Sequence, residues 1–131
     1  METKAINPTS WLQAFHINHG VEVTDATRTL FLSGQTSSDE NGAPLHAGDL
    51  TAQFRCAWGN IKDALAEAGM GPANVVRLNM YTTDVDGVMA SGGEVLAEIA
   101  GEGCSPVGTL LGVTRLYHPD ILIELEATAV A

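Results

Sequence analysis

Basic residues are what this chain has least of. Six lysines and arginines stand against sixteen aspartates and glutamates in 131 residues, a formal charge of −10. That balance repels a phosphate backbone, and the cations Lys4, Arg28, Arg55, Lys62, Arg77 and Arg115 are scattered rather than grouped in a stripe. Nucleic-acid binding is therefore not expected. Cysteine is also scarce: Cys56 and Cys104 are too few for a disulfide framework or a zinc site. No apolar run approaches the length of a bilayer span, so a membrane protein is not expected. The opening METKAINPTSW lacks the apolar stretch of a signal peptide, which points to the cytoplasm. Linkers, charge blocks and low-complexity segments are missing too. The chain reads as one domain, residues 1–131, and its hydrophobic fraction of 45% suffices for a core and argues against disorder.

What is present alternates between strand and helix patterns. Residues 1–12 read as an extended arm anchored by Trp11. Phe15–Val23 and Thr29–Gly34 read as strands around the turn Thr24–Thr27. Asp49 is a good N-cap, and after it Leu50, Phe54, Ala57, Trp58, Ile61, Leu65 and Ala68 form one helical stripe that Gly69 ends. In this pattern Cys56 reads as a small core residue. Asn74–Thr83 is β-rich. Asp84–Ala100 reads as a second helix capped by Asp84 or Asp86, in which Gly92 and Gly93 each cost about 1 kcal/mol relative to alanine. Two glycines there imply close backbone packing or an opening beside the helix. The order predicted is β-β-α-β-α-β-β, most economically one sheet with both helices on a single face. The other sheet face is then bare, and a small domain with a bare apolar face usually oligomerises.

The last quarter holds two strand-like runs, Thr109–Leu116 and Ile121–Val130, around Tyr117-His118-Pro119-Asp120. In the second, period two sets Ile121, Ile123 and Leu125 against Leu122, Glu124 and Glu126. Two acids thus share one face, either a solvated surface or the wall of a site. His16 and His19, three apart on the expected first strand, fall on opposite faces and cannot form a simple metal pair. One of them can face a cleft and act as acid or base near neutral pH. Cys104, before Ser105-Pro106, is either a reactive loop thiol or a bland loop or interface residue. No metal-ligand spacing, Ser-His-Asp order or P-loop is present.

The segments FLSGQTS at 31–37, VVRLNMYTTD at 75–84 and SPVGTLLGVTRL with ILIELEATAV at 105–130 resemble the RidA (YjgF) family over nearly the whole length. The resemblance implies an α/β (α+β) chorismate-mutase-like fold and a homotrimer whose sheets form a central barrel. It implies ligand sites in clefts between subunits. It also implies hydrolysis of reactive enamines and imines to ketoacids and ammonia, without metal or cofactor. By the same resemblance, Glu124 matches the acid that positions the hydrolytic water, and Ser33 and Gly34 match the strand whose backbone borders the pocket. Ile17 falls near an aromatic position and Gly92 near a pocket-lining asparagine. The arginine of the Pro-Ala-Arg-Ser motif, which clamps the substrate carboxylate in deaminating members, falls on Gly108 in Pro106-Val107-Gly108-Thr109.

Bidentate geometry makes that arginine hard to replace. The expected activity is thus an enamine/imine deaminase-like hydrolase acting on a small reactive metabolite with altered specificity. Glu124 is its catalytic acid, and Ser33, Gly34, Gly108, Thr109, Ile17, His19 and Gly92 are candidate ligand contacts. Glu126 is expected to be a solvated neighbour, and Arg77 the nearest replacement cation, although pairing with a surface acid is its commoner use. A non-catalytic trimeric small-molecule-binding or regulatory protein and a cyclase or tautomerase remain alternatives.

Overall fold

The computed structural model describes all residues, 1–131. Its first two strands make a small ribbon of their own. β1 (Glu2–Ile6) runs antiparallel to β2 (Gly20–Thr24), with Glu2 opposite Thr24 and Ile6 opposite Gly20. The main sheet has four strands: β3 (Thr29–Thr36), β4 (Val75–Thr82), β5 (Leu110–Gly112) and β6 (Ile123–Val130), in the order β3-β6-β4-β5. β6 is antiparallel to both neighbours, while β4 and β5 are parallel. A parallel pair needs a crossover, and α2 (Val85–Gly101) supplies it. α1 (Leu50–Glu67) joins β3 to β4. The caps are the expected ones: Asp49 accepts from the Ala52 N–H and Asp84 from the Gly87 N–H.

Both helices cover one face of this sheet. Phe54, Ala57, Trp58, Ile61 and Leu65 of α1 and Val88, Val95, Leu96 and Ile99 of α2 bury themselves there. From the sheet, Leu78, Met80, Ile123, Leu125, Ala127 and Ala129 meet them. The strict alternation of β6, buried at every odd position from Ile123 to Ala129, is period-two patterning made physical. The opposite face has no helix, and Phe31 stands on it 78% exposed, opposite Thr128. Arg55 ties α1 to α2 through a two-point contact with Glu98, at 3.1 and 2.8 Å. No helix is long and apolar enough to cross a membrane.

Four local expectations are corrected. The N-terminal segment is more than an arm, because β1 is a paired strand, and Trp11 is 63% exposed rather than packed. No strand spans Phe15–Val23: a 3-10 turn covers Trp11–Phe15, His16 takes a left-handed backbone (φ 59°), and β2 begins only at Gly20. Tertiary hydrogen bonds outweigh β propensity here. Asn18 is buried, its Nδ2 donating to the Ser105 carbonyl and hydroxyl at 2.9 Å each, and its backbone N–H donating to Pro106 O. β5 is three residues long instead of eight, since its partner β4 ends at Thr82, whose carbonyl takes the Val113 N–H. Cys56 lies off the buried stripe and is half-exposed, whereas Cys104 is in the core. Burial, and secondarily the Glu102 charge, pushes the Cys104 thiol up to about 12, which removes it as a nucleophile.

Candidate functional site

The helix-free sheet face carries the acids. On β6, Glu124 and Glu126 project to this side together. β3 reaches them through a bulge: Leu32 pairs with Ala127 but Gln35 with Leu125, so one extra residue is absorbed at Ser33-Gly34. The bulge puts Gly34 under the Glu124 side chain, where an added Cβ would land on Glu124 Oε1. Only glycine leaves that space to the carboxylate. Glu124 is half-buried, and loss of water, with a smaller contribution from the Glu126 charge, raises its pKa above the ordinary carboxylate value. Ser33, beside it, is exposed.

Glu126 is more than a solvated neighbour. Its Oε1 accepts the Tyr81 hydroxyl at 3.0 Å and Asn79 Nδ2 at 3.2 Å. Accepting that phenolic proton raises the Tyr81 pKa. Asn79 Oδ1 is buried without a partner in the chain. This network was missed in the sequence. Its signal was the alternation of VVRLNMYTT, which aligns Arg77, Asn79 and Tyr81 on the face opposite buried Leu78 and Met80. Arg77 is exposed on that free face and makes no ion pair. It pairs in register with Thr128, not with either glutamate.

A second group gathers elsewhere. Ile17, Gly108 and Thr109 line a pocket of about 480 Å³ between the Trp11–Phe15 turn, α2, β4 and β5. Ten of its thirteen lining residues are hydrophobic and none is charged. At Gly108 an added Cβ would run into the backbone carbonyl oxygen of Leu78, a strand atom with no freedom to move away. The backbone here is therefore shaped around glycine.

Gly92 does not line the pocket: it is buried toward Val88 and Phe54, and its neighbour Gly93 opens into the space instead. His19 is also outside. Its N–H donates to Asn7 Oδ1 at 3.0 Å, its Nε2 meets Thr9 Oγ1 at 3.2 Å, and its ring meets Trp11 edge-on. No three His, Cys, Asp or Glu side chains cluster as a metal site would need.

One chain thus holds two partial sites: Glu124 with Ser33-Gly34 on the free sheet face, and Ile17, Gly108 and Thr109 in an apolar pocket. The architecture is that of the mixed α+β, chorismate-mutase-like domains of YjgF proteins. Residues 12–131 match the family model described as endoribonuclease L-PSP, and the chain belongs to this RidA (YjgF) family. A RutC family protein of Pyrococcus horikoshii is 36% identical over 100 residues, 76% of this chain and 77% of the relative. The Rid-family protein YyfB of Yersinia pestis superposes with a TM-score of 0.90 at 32% identity, covering 100% of both chains. The Escherichia coli protein TdcF, solved with bound serine, superposes with a TM-score of 0.70 at 25% identity, covering 82% of this chain and 84% of TdcF.

Proposed function

We propose that this protein is a cytoplasmic enamine/imine hydrolase that works as a homotrimer on a small reactive metabolite. The observation that carries the reading is the Glu124 carboxylate, held over Gly34 and drawn out of water, in a chain of this family. A raised proton affinity makes a carboxylate a better general base near neutrality. The two partial sites on one chain fit a cleft completed by the neighbouring copy, one contributing Glu124 and the other the pocket.

The chemistry needs only water and this acid. Glu124 takes a proton from water as its oxygen bonds to the C=N carbon. The nitrogen gains that proton, which gives the carbinolamine. Glu124 then carries the hydroxyl proton to the nitrogen as the C–N bond breaks and the C=O bond forms, and ammonia and a carbonyl compound leave. An enamine first takes a proton on carbon to become the imine. With Gly108 where deaminating relatives carry arginine, a substrate carboxylate has no bidentate partner, and loss of such a contact costs about 1.5–3 kcal/mol or more. Specificity therefore shifts away from amino-acid-derived imines. RNA cleavage, suggested by the description of the family model, is disfavoured by the −10 charge.

The bound serine in TdcF favours a second reading, a trimeric module that binds small molecules without turning them over. Ammonia release separates the two. With imines generated in situ, the wild type is expected to outpace Glu124→Gln by about 10²-fold or more, the usual size of a general-base contribution. With 2-aminoacrylate it is expected to lag behind an arginine-bearing relative. Binding with no Glu124-dependent turnover would establish the module, and a 2-aminoacrylate rate equal to the relative's would refute the shift in specificity.

A further inference from the structure

We propose that the pocket under the Trp11–Phe15 turn receives the apolar body of an uncharged substrate, an aryl or branched-alkyl imine without a carboxylate. The proposal rests on the hydrolase reading for the fate of the C=N group, but not for binding. The walls argue for it. Phe15, Ile17, Met89, Leu96 and Leu110 give an aliphatic and aromatic lining, with Thr109 the sole hydroxyl. Trp11 stands edge-on to Phe15, with centroids 6.2 Å apart, a wall suited to a ring. Met89, 55% exposed, can adapt its shape to the occupant.

Charge argues the same way. No cation lines the pocket, the chain as a whole is at −10, and Arg77 lies on the free sheet face away from it. A carboxylate placed here would lose water and gain no partner. Nor can a side chain at position 108 supply one, because the Leu78 carbonyl occupies the place of its Cβ. The volume of about 480 Å³ suits a small molecule. Four elements of a single chain enclose it, which favours a small ligand over a segment of a second copy.

Trp11 is a built-in reporter, since the only other tryptophan, Trp58, is 3% exposed. The experiment titrates the assembled Trp58→Phe protein with phenylacetone, phenylpyruvate and pyruvate while following Trp11 emission, with calorimetry on the wild type as a second measurement. The expected result is saturable binding of the neutral ketone and at least about tenfold weaker binding of phenylpyruvate, the cost of an unpaired buried charge. Gly93→Leu enters open space, with nothing within 4 Å of its Cβ, so it should block binding while leaving the melting temperature intact. Phenylpyruvate binding as tightly as phenylacetone would overturn the proposal. So would a Trp11 signal already shielded by a neighbouring copy and blind to the ketone. If phenylacetone binds but the matching imine is not hydrolysed, the hydrolase reading fails and this one stands. Turnover of 2-aminoacrylate without ketone binding would leave the hydrolase standing and overturn the apolar subsite.

Discussion

The surroundings of Glu124 resist its charge. Burial and the Glu126 carboxylate both favour its protonated form. Other ionisable groups on this face come from β4, Arg77 and Tyr81, while β3 brings only Ser33, Gly34 and Thr36 near it. Hydrolysis should therefore fall on the acid side at a pH above the ordinary carboxylate range. Glu126→Gln, which removes the like charge yet can still accept from Tyr81, should move that limb to lower pH. An unmoved limb in the pH–rate profile would show that desolvation alone sets it. Stability follows the same sign: the folded state holds this proton more tightly than the unfolded chain. Its contribution therefore declines as pH rises from the ordinary carboxylate value through the raised one. The shared face of Glu124 and Glu126 was legible from period two alone. The Gly34 contact was not, because a bulge shifts register and leaves no mark in a one-dimensional pattern.

At the level of elements, the last strand owes its position to a glutamine inside α1. Gln53 is fully buried amid an apolar stripe. Its Nε2 donates to the carbonyls of Leu45, His46 and Asp120, the last at 2.6 Å, and its Oε1 accepts the Leu122 N–H at 2.8 Å. It thereby fastens the loop after β3 and the turn that launches β6, and with it Glu124. Gln53→Leu should cost about 1–3 kcal/mol in urea unfolding, the cost of stranding buried backbone groups. A loss within a few tenths would mean that water replaces the amide. The stripe itself was readable, but Gln53 was not, since its partners lie 67 and 69 residues away in sequence. Asn18 shows the same limit, with bonds to Ser105 that turn a strand-like segment into a bend.

On the scale of the molecule, the two-helix, one-face layout was legible because each helix and strand pattern is long and regular. The N-terminal ribbon was not, because β1 is exposed on every residue and carries no periodicity to read. The bare sheet face, with Phe31 at 78% and Leu111 at 49% exposure, is where the proposed trimer would close. Light scattering should give three times the 13.7 kDa chain mass, and Phe31→Glu should yield folded monomers. A monomeric wild type would remove the shared cleft.

The collision at Gly108 also bears on protein engineering. Grafting arginine onto this position is no simple swap of one recognition group for another, since the main chain of β4 already occupies the first atom's place. Redirecting this scaffold toward acidic metabolites would require re-routing the edge strand itself, so the preference we propose for it is written in backbone path rather than in an exchangeable side chain.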